Sequence, residues 1–599
     1  MSLAKIVASA LARGATRGSW VAAREALAPL EPLTRLRALW RLRRVLRRAQ
    51  ELTSSADPSH ELRVAALLSL EKRPESDVDD QAAIAAELQA LELVAVPKQK
   101  PWPTLGAVAA VALLVGAGFT LKSLLAPFDP ELTPAGHALG EGLAGYVVAL
   151  GRSPERRVEA LAAARAKALG PEARAALGDG GFTRLEQLLA RAERVANARG
   201  EATLNADRDA FFLAANDFGA ELAKQGLPYF VDAEVLLQRD GALPLLLVSY
   251  TEREVEVRFG DRRVRALYLW RLDRLRVNWP ALGYTRPRTP AALILLDQLE
   301  HDLVGYVLPA LPEKERVELV DEQTRLREEP WVAEIETRAA ELLRRHYGKA
   351  LADPETSEVA RLLARRRALL VKFQQNLSGQ GRTLVPPRRL VPEYDYAEDL
   401  ARRISRQNLR EWDSLHGALL SPRLLEQFEE LRDRYALSVE RHEVQHRLDF
   451  MQGFAPVPER LASLVGLENR LDAPEGSLGA GARHELSAYL AELADGPDSP
   501  LLALVLMSRI VLNRGALGGP HSYAVAALLI SLAEELGIDV SRFERRIERE
   551  ALGRLMLEIG ARPEREIRGA AERCYAELFG APLQKSGERQ VSEHAKWRH

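Results

Sequence analysis

Two histidines stand four residues apart in the segment Arg441–Asp449, His442 and His446, and Glu443 directly follows the first. On a helix, side chains at i and i+4 leave one face a turn apart, so both imidazoles can reach the same point. That spacing suits one Zn²⁺ held by two neutral ring nitrogens at about 2.0–2.1 Å. Glu443 is placed to reach a water on such a metal without ligating the metal itself, the position of the general base in the motif H-E-x-x-H. Chance can also supply the motif, so the surrounding pattern matters. Tyr435, Val439, His442, His446 and Asp449 form one helical stripe, and Leu437, Val444, Leu448 and Met451 form another. Two apolar-flanked faces imply a helix running through a domain interior, ended by Gly453.

A catalytic zinc takes a third protein ligand and keeps one position for water. No glycine-then-histidine continuation follows His446, so a third ligand close by is absent. The best distal candidate is Glu485, in the segment Arg483–Leu490 (RHELSAYL), a helix that follows a glycine-rich loop and stops at Gly496. Leu486, Leu490 and Leu493 make its core stripe, whereas Glu485, Tyr489 and Glu492 make a second one. Carboxylates on a buried face need a partner or a metal. The alternatives are a glutamate on a solvated face, His484 as the third ligand, or Asp449 behind it. Asp449 can otherwise accept a supporting bond from a ligand histidine. Stabilising the oxyanion of an attacked carbonyl needs a further polar group. Tyr489, one turn after Glu485, and His521, after the turn Gly518-Gly519-Pro520, are the candidates, with Tyr523 in the same turn. A capping or surface role for His521 is the competing reading.

With both motifs in place, the chain resembles the gluzincin metallopeptidases, the thermolysin-like clan with H-E-x-x-H on one helix and a glutamate ligand on a later one. The resemblance covers the segment Leu425–Leu536. It implies that His442, His446 and Glu485 bind Zn²⁺ and that Glu443 activates water. The stretch from His446 to Glu485 is longer than in thermolysin or aminopeptidase N, and nearer to membrane-associated gluzincins. The segment E-L-S-A-Y shares the Ala and Tyr of the aminopeptidase glutamate helix but lacks its Asn-Glu start. No family within the clan is therefore assigned.

The rest of the chain must position these residues. At 599 residues it suggests several domains rather than one. A net charge of −1 excludes the whole molecule as an electrostatic nucleic-acid binder, and no nucleic acid is expected as a partner. The single cysteine, Cys574, rules out an intramolecular disulfide and a Cys-based zinc knuckle. The stretch Pro101–Leu121 carries no charge and is about as long as a helix needs to cross a bilayer. Trp102 and Lys122 suit its two interfaces. Lys98 and Lys100 precede it, and Asp129 and Glu131 follow, which orients the first hundred residues to the cytoplasm. A buried core helix is the other reading. The basic segment Leu33–Gln50 can lie on an anionic leaflet or form the wet face of a helical bundle. Strand-type runs fill Leu227–Leu275, with a hairpin turn at Gly260-Asp261. Helical patterns flank them on both sides.

The expected fold is mainly α with a smaller α+β segment, a single transmembrane helix and a zincin-like helical metallopeptidase domain at the C-terminal end. The expected boundaries are a basic helical cytoplasmic domain (1–100), the transmembrane helix (101–122), a helical domain (123–225), a β-containing segment (226–290), a helical connector (291–392), the H-E-x-x-H domain (393–585) and a polar tail (586–599). The expected function is zinc-dependent peptide hydrolysis at the inner membrane, single-pass, with the catalytic domain in the periplasm or outside the cell and a polypeptide as substrate. Two other readings stand beside it: a non-catalytic membrane scaffold or sensor, and a metal-dependent hydrolase of another bond.

Overall fold

The computed structural model describes residues 138–594 apart from 152–153, 199–200, 239–240, 273–280, 313–329, 379–388, 391–405, 454, 466–476, 513–517 and 544–547. These residues all fall within one compact unit, Ala117–His599. After a short helical stretch (Ala138–Leu150), three longer helices lead in: α1 (Pro154–Ala168), α2 (Pro171–Asn197) and α3 (Glu201–Lys224). A sheet follows, with β1 (Tyr229–Gln238), β2 (Gly241–Phe259), β3 (Arg262–Arg271), β4 (Gly283–Tyr284) and β5 (Ala292–Leu295). Strand β5 runs straight into α4 (Leu296–Asp302). Then come α5 (Pro330–His346), α6 (Pro354–Ser378), α7 (Arg406–Leu419) and α8 (Pro422–Gln452). The chain continues through α9 (Leu478–Asp495), α10 (Pro500–Leu512), α11 (Pro520–Glu535), α12 (Arg549–Gly560) and α13 (Glu564–Phe579), and closes with β6 (Arg589–Glu593).

The sheet order is β1-β2-β3-β5-β4, with β6 on β2. Strand β2 is long enough to serve three partners. Its first half forms a hairpin with β1, closed at Gln238↔Gly241. Its second half pairs with β3 across the Gly260-Asp261 turn on one side and with β6 on the other, from Arg253↔Glu593 to Val257↔Arg589. A register shift between Thr251 and Arg253 separates the halves. Strand β5 lies parallel to β3, and β4 lies antiparallel to β5 as the last strand of the order. Side chains alternate between faces as strands require. Val264, Ala266, Tyr268 and Trp270 of β3 enter the main core, and Leu267 and Leu269 join Leu293 and Leu295 in a smaller cluster on the other face.

Helix α8 packs against β3, β4 and β5 and against α9. Proline at its first turn suits the missing N–H there, and Gly453 at φ 80° ends it in a conformation that side chains disfavour. Phe428, Leu431, Tyr435, Ala436, Val439, Val444 and Leu448 anchor it in the core. It also buries Arg432, Glu440, Arg441, Glu443, Gln445 and His446, and buried polar groups at this density demand partners. Behind the histidines, Arg589 of β6 donates to Glu440 from Nε at 2.9 Å and from Nη2 at 2.8 Å, and Tyr268 donates to the same carboxylate. Arg441 donates to Asp495 of α9 at 2.8 Å. Asp495 in turn accepts from the backbone N–H and the hydroxyl of Ser586, at 2.8 and 2.7 Å. The stretch before β6 and β6 itself thus tie α8, α9 and the sheet together.

The expected fold class needs correction. The span expected at 101–122 lies outside the described residues, and among the described residues no helix is long and apolar enough to cross a membrane. Helices α10 and α11 are strongly apolar, but they have 13 and 16 residues, short of the roughly 20 that a bilayer core needs. The longer α2, α6 and α8 carry charges throughout. The fold is mainly helical with a small sheet, and a single transmembrane helix is not supported. Nor is the sheet a local segment apart from a helical C-terminal domain. It recruits β5 beyond residue 290 and β6 from the expected polar tail, and one apolar core joins it to α8–α13.

Candidate metal centre

The buried middle of α8 faces α9, and there His442, His446 and Glu485 converge. One ligand atom from each lies within 4.8 Å of the others. Glu485 Oε2 is 3.4 Å from His442 Nε2 and 3.8 Å from His446 Nε2. The geometry of α9 is set locally: Ser477 caps its start by accepting from the Ala480 N–H at 3.2 Å, worth about 1 kcal/mol in a typical helix. Glu485, Tyr489 and Glu492 follow at helical spacing.

Glu492 holds the first imidazole from behind. Its Oε2 is 3.2 Å from His442 Nδ1, while its Oε1 accepts from Ser438 Oγ at 2.6 Å. A proton on Nδ1 directed at a carboxylate leaves Nε2 with the free lone pair, the tautomer a metal ligand needs. Asp449, expected to fill this role, instead accepts from Gln445 Nε2 at 2.7 Å, and burial pushes its carboxyl up to about 6. The rival ligand His484 is not among the three converging groups: its Nε2 lies 3.2 Å from Arg483, and its ring centroid is 5.1 Å from that of Phe450 and 6.2 Å from that of His446. Glu492 was visible in the sequence as part of the Glu485–Tyr489 stripe, two turns beyond Glu485. Replacing Glu492 by glutamine is expected to weaken zinc binding by about 10–100-fold. Competition with a chromogenic chelator reads the change, and an unaltered affinity would separate Glu492 from the site.

Glu443 turns from the same helix toward the sheet. Thr285, just after β4, donates its hydroxyl to Glu443 Oε2 at 2.9 Å. Burial raises the Glu443 carboxyl to about 7, with His442 lowering it and Glu485 raising it in smaller measure. A carboxyl poised there can take up and release a proton near neutral pH. Nothing local in the sequence points to Thr285, which lies 158 residues before Glu443, beyond the whole of the helical connector.

His521 and Tyr489 complete the cluster. Proline at position 520 starts α11, so His521 stands in its first turn. Its Nδ1 lies 3.0 Å from Glu485 Oε2 and 3.1 Å from the Tyr489 hydroxyl. The Tyr489 ring packs 4.7 Å from that of His442. Burial, with the Glu485, Glu492 and Glu443 carboxylates, holds the Tyr489 hydroxyl well above its usual range, so it stays a donor. Burial opposes charge on His521, but Glu485 outweighs it and raises the imidazole. His521 is 55 % exposed and His442 only 12 %, so solvent reaches the cluster from the α11 side.

The residues fit a zinc ion. Glu485 Oε2 is buried, with three imidazole nitrogens around it at 3.0–3.8 Å. A carboxylate oxygen in that setting is a strong candidate to ligate a cation. Two carboxylates bracket His442 and, despite burial, raise it to about 10, whereas burial lowers the neighbouring His446 to about 3. The carboxylates thus gather negative charge at the His442 end of the cluster, and His446 stays neutral. Two histidines and one glutamate are a donor set found in catalytic zinc sites.

Comparison with known proteins returns no similar family model, curated protein or solved structure. The functional reading therefore stands on this geometry.

Proposed function

We propose that the chain is a zinc-dependent peptidase, with His442, His446 and Glu485 as the zinc ligands and Glu443 as the general base. The observation that carries the reading is the convergence of these three ligand atoms within 4.8 Å, with the buried Glu443 beside them. Zinc in such a site would acidify a bound water and polarise a carbonyl oxygen. The chain's own groups supply the rest. The Glu443 carboxylate takes the proton of the attacking water and later hands it to the leaving amine. Tyr489 and His521 stand on the open side, where a hydroxyl and an imidazole can donate to a developing oxyanion.

A peptide is favoured over another hydrolysable substrate because β4 ends the sheet beside Glu443 among the described residues. An extended polypeptide can add to such an edge by backbone hydrogen bonds. A casein or peptide-library digest, with and without phenanthroline, tests the reading. The expected result is cleavage that phenanthroline stops and added zinc restores. Intact peptides alongside zinc-dependent cleavage of an ester or other bond would favour the wider hydrolase reading, and a zinc-free, inert chain the scaffold.

A further inference from the structure

The Glu443 side chain leaves α8 into a seat built by a different part of the chain. On one side is Gly283 of β4. A Cβ at that position would lie 2.7 Å from Glu443 Cγ, 3.0 Å from its Oε1 and 2.6 Å from the carbonyl oxygen of Leu293. Only bare backbone lets the strand pass this close. On the other side is Thr285, whose hydroxyl is 2.9 Å from Oε2 and 3.1 Å from the backbone carbonyl of Glu443 itself.

The strand end that bears this seat is fastened at several points. Tyr284 donates to Asp232 of β1 at 3.1 Å, and Arg286 donates to the same oxygen at 3.0 Å. Arg286 also pairs with Glu234. Arg288 donates to the Ala233 carbonyl at 2.6 Å while its guanidinium covers the Phe212 ring at 3.9 Å. Thr289 closes the turn, its hydroxyl accepting from the Arg286 N–H and donating to the Arg286 carbonyl at 3.1 and 2.9 Å. Arg447, directly after His446, donates to the Pro287 carbonyl at 3.3 Å. A hydroxyl fixed this firmly meets Glu443 without reorganising, whereas a free glutamate would sample several rotamers.

We propose that Gly283 and Thr285 are positioning residues for the general base: together they hold the Glu443 carboxylate in the one rotamer from which it can work. Among the described residues no hydrogen bond or ion pair joins either to the zinc ligands, so metal binding is expected not to depend on them. The inference rests on the peptidase reading for its catalytic consequence, but the position of the carboxylate can be read without activity.

The test compares Thr285→Val, which keeps the shape and removes the donor, with Thr285→Ser, which keeps the donor. Both are expected to purify with the zinc content and Tm of the wild type. In Thr285→Val kcat falls by about 10–100-fold with little change in KM, the loss typical of an outer partner of a catalytic group. Thr285→Ser recovers most of that loss. Crystal structures of the three proteins show the carboxylate displaced in the valine variant alone. A valine variant with wild-type kcat, or a serine variant no better than valine, overturns the proposal. If the wild type hydrolyses no peptide, the peptidase reading fails instead, and the crystal structures still decide: an unmoved carboxylate without the hydroxyl sinks the seat. Should the valine variant fold poorly, Thr285→Ala against Thr285→Ser gives the same comparison.

Discussion

Glu443→Gln is expected to bind as much zinc as the wild type and to turn over peptide about 10²–10⁴-fold more slowly, the usual worth of a positioned general base. Glutamine keeps the length and planarity of the side chain. Its amide oxygen can still accept from Thr285, which lies 2.9 Å from Oε2 in the wild type, so the fold around β4 has no cause to move. What it loses is the ability to take a proton from water and deliver it to the leaving amine. The effect therefore falls on kcat, with zinc content and melting temperature unchanged. Steady-state kinetics and metal analysis of one preparation read both. A glutamine variant with wild-type turnover would remove Glu443 from the chemistry.

The second large effect is on the metal. Glu485→Ala is expected to lose zinc by more than the 10–100-fold that an outer partner is worth, because it removes one of three protein ligands. The same oxygen is the common neighbour of His442, His446 and His521. Its removal also leaves His442, among the described residues, with Glu492 as its one carboxylate ion-pair partner. Dialysis against a weak chelator, followed by metal analysis, should strip the alanine variant and leave the wild type loaded. Full retention of zinc would transfer the third-ligand role elsewhere.

The legible parts of the site were those fixed by spacing along one helix. His442 and His446 face one point because i and i+4 share a face, and Gly453 and Gly496 follow the helices they were expected to end. The β1–β2–β3 meander was readable from the strand-type runs in Leu227–Leu275 and from the Gly260-Asp261 turn. Groups that reach the site through tertiary contact were not. Asp449 and Glu492 both sat at helical spacing, and only the crossing of α8 and α9 decides that Glu492 meets His442. Thr285 and Gly283 carry no local signature, since a lone glycine before a tyrosine and a threonine reads as an ordinary loop. Strand β6 was hidden for a related reason. Its five residues are all exposed, so they lack the apolar alternation that marks a half-buried strand, and their place is set by backbone pairing and by Arg589 on Glu440.

A zinc ion shared by α8 and α9 is tested most directly by zinc stoichiometry. Native mass spectrometry of the full chain, purified without chelator, is expected to show one zinc per wild-type molecule and none in the His442→Ala/His446→Ala double variant. A wild-type chain that stays metal-free when titrated with zinc, or a double variant that binds it equally well, would contradict the account.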